Sequence, residues 1–279
     1  METILEINSE ENHHGPIFTM QDEQQMEMNQ ESFQLRHIDI LLAHGWFRMG
    51  KHMFTLNHIG WLRETRVFWT RYHIDEIVLP ASAKAILKKS AAFEFECLPL
   101  KLNPELEELY SLYRNSVEID TADTLAEVLF RNEADDIETS PFQSYVIEMR
   151  KDGKLIGAGI FDEGKYSLMG IVNFFDPEYR KYSPGKALML QKIRWASENG
   201  KVHYYPGYVA ASDTRFDYKL FCGKTGAEIF DPITPAWIPF RDGIVDRISN
   251  VQKDIIRQLH EPLWLNPEHA AKLIPPIQE

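Results

Sequence analysis

The stretch from Phe142 to Tyr208 constrains the chain most, because apolar runs and turn residues alternate there in an order few folds accommodate. Phe142–Met149 reads as an apolar strand, Lys151-Asp152-Gly153-Lys154 as a hairpin turn, and Leu155–Asp162 as the returning strand. Glu163-Gly164-Lys165 turns the chain into a third strand, Tyr166–Phe175. A loop, Asp176–Tyr182, leads to a helix whose start is marked by Ser183 as N-cap and Pro184 at the first helical position. Met189, Leu190, Ile193 and Ala196 form its apolar stripe, and Asn199-Gly200 ends it. Val202–Tyr208 is again a strand, expected to return parallel to the third.

The flanks are less regular. Residues 1–32, rich in Glu, Gln, Asn and Met, read as an acidic tail or arm. From Phe33 to about Asn115 the chain is dense in aromatic and basic residues and closes on a helical pattern, Pro104–Tyr113. Asp120–Ser140 opens helically around Leu125, Val128 and Leu129 and loosens into the acidic run Glu133–Glu138. The expected division is an arm (1–32), a smaller N-terminal domain (33–118), a strand-rich domain (119–235) and a C-terminal extension (236–279), joined near 116–120. An amphipathic helix near Gly243–Leu259 and Pro275-Pro276 finish the chain. The class is α+β.

A chain of 279 residues can bury a sizeable core. No stretch reaches the ~18 apolar residues of a membrane span. Met1-Glu2-Thr3-Ile4-Leu5-Glu6 lacks the basic flank and apolar run of a signal peptide. Cys97 and Cys222, far apart, suggest neither a disulfide framework nor a thiolate metal cluster. The expectation is a cytoplasmic protein with no metal, no cofactor and no membrane partner. The net charge of −12 is unevenly spread. Residues 1–32 hold eight acids and no Lys or Arg, and residues 120–140 hold seven acids against Arg131, so the remainder is slightly basic. Arg48, Lys51, Arg63, Arg66 and Arg71 cluster in 44–73, and Arg180, Lys181, Lys186, Lys192, Arg194 and Lys201 in 179–203. These segments are either solvated faces or a phosphate-binding surface, and charge alone does not decide.

Chemistry concentrates at Phe174-Phe175-Asp176-Pro177 … Tyr182-Ser183-Pro184-Gly185-Lys186-Ala187. A helix opening just beyond a strand presents unpaired N–H groups and a positive dipole end to a phosphate or polar oxygen. Gly185 lets a ligand approach the backbone and Lys186 adds a point charge. The bland alternative is a capped helix with nothing bound. In the next strand Pro206 cannot donate to a ladder and Gly207 invites a bulge, so the strand should splay from its parallel neighbour and open a cleft. The alternative is a simple edge strand.

The spacing Tyr182-x-x-Gly185-x-Ala187 resembles the pyrophosphate loop of GNAT acyltransferases. Asp162-Glu163-Gly164-Lys165-Tyr166-Ser167, Phe174-Phe175-Asp176-Pro177, Tyr182-Ser183-Pro184-Gly185 and Tyr204-Tyr205-Pro206-Gly207-Tyr208 follow in order. Together they resemble the GNAT-like C-terminal half of the arginyl- and leucyl-tRNA–protein transferases, the aminoacyltransferases of N-end rule protein degradation. Phe216-Asp217-Tyr218-Lys219 is similar to that family's Met-Arg-Tyr-Lys element. Gly45-Trp46-Phe47-Arg48-Met49-Gly50 and Ser82-Ala83-Lys84 … Lys88-Lys89-Ser90 resemble its N-terminal elements more faintly. The family's cysteine cluster is missing: Thr55-Leu56-Asn57-His58 stands in its place.

The resemblance implies a GNAT-like mixed sheet with flanking helices, and transfer of an amino acid, of the arginine or leucine class, from charged tRNA to a protein's N-terminal amine. Its partners would be aminoacyl-tRNA and the acceptor's N-terminus. It implies Tyr218 and Lys219 as catalytic residues, and Arg180, Tyr182, Ser183, Gly185, Lys186 and Ala187 around the donor. Asp162, Phe175, Asp176, Tyr208 and Asp217 would face the acceptor, and Arg48, Lys51, Lys84, Lys88, Lys89 and Lys192 the tRNA. Asp217 stands where the family has arginine, which puts the usual preference for acidic acceptor termini in doubt. Two other readings stay open: a GNAT acyltransferase using an acyl-CoA donor on a small amine, and a catalytically silent binding homologue.

Overall fold

The computed structural model describes residues 35–55, 58–59, 65–117, 122–130, 140–211, 213–232, 234–251 and 263–265. The expected acidic arm, the run Glu133–Glu138, most of the joint near 116–120 and the far half of the C-terminal helix lie outside the described residues. In chain order the elements are α1 (Leu35–Ala43), β1 (Phe47–Met49), β2 (His52–Thr55), β3 (His58–Ile59), β4 (Thr65–His73), α2 (Ala81–Ser90) and β5 (Glu94–Pro99). Next come α3 (Pro104–Arg114), α4 (Leu125–Phe130), β6 (Ser144–Lys151), β7 (Lys154–Glu163), β8 (Ser167–Phe175) and α5 (Pro184–Glu198). Then follow β9 (His203–Ala210), β10 (Ala227–Asp231), β11 (Ala236–Pro239), α6 (Ile244–Val251) and β12 (Leu263–Leu265). Short 3₁₀ turns occupy Pro177–Tyr182 and Thr214–Leu220.

Local chemistry explains the central elements. Asp152 and Gly153 both take positive φ, 51° and 80°, as a tight turn that matches strand twist requires. They join β6 to β7 with Lys151 opposite Lys154. Asn103 accepts from the Leu106 N–H and Pro104 fills the first turn, which fixes the start of α3. Asn199 and Gly200, at φ 65°, end α5 as expected.

The main sheet runs β11-β10-β4-β9-β8-β7-β6-β5, with β3 also paired to β4. The pairs β5–β6, β6–β7 and β7–β8 are antiparallel, and β8–β9 is parallel. This is the expected order of three antiparallel strands, a helix and a parallel return.

Side chains alternate between the faces with period two. Phe161, Leu168 and Tyr204 pack with Leu188 and Met189 of α5 on one face. Their neighbours Ile160 and Phe174 pack under Leu106, Tyr110, Leu125 and Leu129 of α3 and α4. Met169 and Tyr205 meet α1 and the small sheet β1-β2-β12 through Leu41, Phe47 and Phe54. Residues 33–118 do not stand apart as the sequence suggested. Their β4 lies between β9 and β10, and their β5 edges the sheet beside β6. Local patterning cannot show this, because the partners are more than 40 residues away in sequence.

Candidate active site

The cleft begins where two parallel strands part. β8 and β9 pair only at Ser167–His203, Leu168–Tyr204 and Met169–Tyr205, and the next residue of β9 is Pro206, which has no N–H to give. β9 stays on β4 as far as Ala210, but the register shifts between Thr70 and Tyr72, where Tyr205 and Pro206 oppose Arg71 alone. Gly207 takes φ 112°, a conformation open to glycine. The splay inferred from Pro206-Gly207 is therefore present.

Lys219, on the 3₁₀ turn after β9, fills the foot of the opening. It is 8% exposed, and its Nζ donates to Tyr208 O at 2.8 Å. The ammonium lies 4.1 Å from the Tyr208 ring centre, 5.1 Å from that of Phe216 and 5.7 Å from that of Tyr218. Burial among these rings pulls its pKa down to about 7. Its neighbour Tyr218 is 45% exposed and feels the phenols of Tyr113 and Tyr208 electrostatically. Tyr113 stands over Phe175, with ring centres 5.1 Å apart. Sequence reading missed Tyr113, which carries no motif.

The start of α5 closes the other side. Pro184 takes the first helical position as expected, but the Ser183 side chain makes no capping bond. Ser183 instead adopts a left-handed backbone, φ 56°, and its carbonyl accepts from the N–H groups of Lys186 and Ala187. A non-glycine residue held there is strained by about 1 kcal/mol, and such strain gathers at functional sites. Asn173 of β8 spans the strand and the helix, donating to Gly185 O at 3.4 Å. Lys186 Nζ rests 5.5 Å from the Phe221 ring centre, Tyr182 packs edge-on against Phe93, and exposed Arg180 donates to Ser116 O at 3.3 Å. Gly185, Lys186, Phe175, Tyr208, Tyr218 and Lys219 thus converge on one opening.

Several expected site residues stand elsewhere. Arg48 and Asp162 form a buried ion pair at 2.8 Å, with side chains 1% and 0% exposed. Asp162 also accepts from Ser144, and Arg48 donates to Gly50 O and Leu129 O. Their strong hydrogen-bonding groups are engaged with each other and with neighbours inside the fold. Lys192 is 1% exposed and donates to Ile160 O at 2.7 Å and Val172 O at 3.4 Å, beside the register shift between β7 and β8. Burial lowers its pKa to about 7 although Asp162 opposes the shift. It bridges the strands at the bulge, with its side chain buried. Asp176 caps the 3₁₀ turn at Glu178 N and pairs with Lys154 at 2.8 Å, so it shapes the loop. Asp217 is raised in pKa by burial and by Asp213 and Asp246, with Lys224 opposing. Asp246 belongs to α6, whereas Asp213 caps the turn after β9 and also acts on Tyr208 of the cleft. Lys84, Lys88 and Lys89 are exposed on α2, which packs on α5 and on the turn Pro177–Tyr182. Lys51 is half-buried, 5.9 Å from the Phe130 ring centre. Among the described residues no three His, Cys, Asp or Glu side chains gather as a metal site. No described helix is long and apolar enough to cross a membrane.

Strand order, a parallel pair that parts at Pro206, and a helix start beside the gap give a GNAT-like α+β fold. Residues 105–223 match the family described as arginine-tRNA-protein transferase, C terminus. The chain is 30% identical over 156 residues to arginyl-tRNA–protein transferase 1 of Arabidopsis thaliana, covering 50% of this chain and 24% of that one. It is 28% identical over 169 residues to an aspartate/glutamate leucyltransferase of Leptospira interrogans, covering 59% of this chain and 63% of that one. The chain therefore spans less than two thirds of these relatives. A GCN5-related N-acetyltransferase from Anabaena variabilis superposes with a TM-score of 0.37 at 12% identity, over 70% of this chain and 41% of that one.

Proposed function

We propose that the chain transfers an amino acid, of the arginine or leucine class, from charged tRNA to the N-terminal amine of an acceptor protein. The observation that carries this reading is the buried Lys219 amine beside the strand opening, within the region that matches the transferase family. An α-amine has a pKa of ~7.7–8.0, so part of it is a free nucleophile near neutrality. It attacks the ester carbonyl carbon; the new C–N bond forms and the C–O bond to the terminal ribose breaks. The proton shed by nitrogen ends on the ribose oxygen. No electrons are gained or lost, so the reaction balances without a redox cofactor.

In this mechanism the Lys219 ammonium stabilises the oxyanion of the tetrahedral intermediate. The Tyr218 hydroxyl, at the mouth, hydrogen-bonds the departing ribose oxygen. The first turn of α5, with Lys186 and Arg180, takes the phosphate of the terminal nucleotide. Lys84, Lys88 and Lys89 continue the positive surface along α2 toward the tRNA body. The setting is the cytoplasm, and the product carries a new N-terminal residue of the kind N-end rule degradation reads. Incubating the protein with each labelled aminoacyl-tRNA and with acetyl-CoA tests the reading. Label from arginyl- or leucyl-tRNA should reach a peptide N-terminus; label from acetyl-CoA alone would overturn it in favour of an acyl-CoA enzyme.

A further inference from the structure

Lys219 does not hold its own position. Two hydroxyls from β4, a strand outside the matched region 105–223, reach the two carbonyls that frame it. Thr70 Oγ1 donates to Gly207 O at 2.8 Å, and Tyr72 Oη donates to Lys219 O at 3.0 Å. Both residues are 0% exposed. They flank the bulge, where the β4–β9 ladder beside Gly207 is interrupted, while Lys219 O lies on the 3₁₀ turn outside any ladder. Gly207 is also the surface on which the amine lies, since a Cβ placed there would stand 3.2 Å from Lys219 Nζ. Tyr72 holds the backbone of Lys219 itself, and its ring, nearly parallel to that of Tyr204 at 14°, cannot swing aside in the packed core. The groups facing the amine are Tyr208 of β9 and Phe216 and Tyr218 of its own turn. No carboxylate among the described residues makes an ion pair with it. Backbone tethers, not charge attraction, therefore decide where the amine points.

We propose that Thr70 and Tyr72 are positioning residues for the aminoacyl transfer proposed above: their hydroxyls clamp Gly207 and Lys219 so that the amine faces the open strand edge. The inference rests on that reading for its catalytic meaning, and on geometry alone for the clamp.

The test uses the full chain with ¹³Cε-labelled lysine, Lys219 being assigned with Lys219→Met. Thr70→Val and Tyr72→Phe each delete one hydroxyl at nearly constant volume. Tyr110→Phe, which deletes a buried hydroxyl bonded to Ala122 O away from the cleft, is the control. In wild type and control the Lys219 signal should titrate apart from the exposed lysines; in Thr70→Val and Tyr72→Phe it should move toward them. In the same variants kcat should fall about tenfold, the effect of one lost buried hydrogen bond, with KM for tRNA unchanged. An unchanged Lys219 titration in both folded variants overturns the clamp. So does a shift of equal size in the control. If the titrations move as expected but wild type transfers nothing from any aminoacyl-tRNA, the reaction fails and the clamp stands.

Discussion

Replacing Gly185 with alanine separates the demands of the fold from those of the cleft. Gly185 has an ordinary helical φ, and a Cβ built there would meet only the Phe175 ring, at 3.5 and 3.9 Å. That is ordinary van der Waals contact, so nothing need shift. Alanine lowers the entropy of the unfolded chain and suits a helix better, a gain of about 0.4–1 kcal/mol. For a chain this size that raises Tm by about 1–3 °C. Gly207 differs: its φ of 112° and the Lys219 amine 3.2 Å from any Cβ make glycine a structural need there. If the first turn of α5 receives the donor, the Gly185 methyl lies between ligand and backbone. A displacement of about 1 Å in the bound ester costs on the order of 100-fold in rate. Calorimetry and single-turnover transfer from charged tRNA should therefore move in opposite directions, with higher Tm and slower transfer. A Gly185→Ala protein that is more stable and transfers at the wild-type rate refutes donor binding at this turn.

Other outcomes follow from where charges sit. Arg48→Ala leaves Asp162 buried and unpaired, so urea unfolding should report a loss of about 3–5 kcal/mol; a loss under 1 kcal/mol would contradict the pair's burial. Lys84, Lys88 and Lys89 changed together to Glu should weaken tRNA binding and flatten its salt dependence by about 0.7–0.9 per lost contact in the log–log slope. Anisotropy titrations from low to moderate salt measure this, and an unchanged slope removes α2 from the tRNA path. Lys192 and Lys219 both have folded pKa values lowered to about 7, against ~10.4 unfolded, so the unfolded chain binds more protons between those values. Stability should rise with pH across that window, and Lys192→Met should reduce the rise between pH 7 and 10; an identical pH profile would show that Lys192 stays charged in the fold. Asp217→Arg should shift transfer toward Asp or Glu termini in a series of peptides differing only in the first residue, because it exchanges a carboxylate for a cation on the turn that carries Tyr218 and Lys219; an unaltered ranking would take Asp217 out of the acceptor site.

The central strands were legible because their signals are local. Asp152-Gly153 dictates a hairpin by φ, Pro184 and Asn199-Gly200 bracket a helix, and Pro206-Gly207 forbids a continuous parallel ladder. Each works within a few residues of itself. The placement of β4 depends instead on Trp69, Tyr72 and Thr70 finding partners more than 130 residues away, which no local pattern encodes. A segment read as basic and aromatic is in fact a central strand whose apolar side chains reach both faces of the sheet, Tyr72 on one and Trp69 on the other.

The same limit applies to the charged residues that the fold engages internally. Arg48, Lys192, Asp162 and Asp176 sit in motifs or basic clusters that read as ligand contacts, yet each has its hydrogen-bonding groups committed inside the protein. Sequence reports charge but not whether the fold has already used it. A lysine that stitches Ile160 O and Val172 O across a bulge has the same spelling as one that meets phosphate. Lys219 illustrates the converse. It is buried too, but among the described residues one of its three donors is taken, by Tyr208 O, and it stands at a strand edge left open by a proline. A buried ammonium with unused donors, no acidic partner and an open side is costly to keep unless something charged comes to meet it. That unspent capacity, more than position in a motif, marks Lys219 off from Lys192 as the lysine of the cleft.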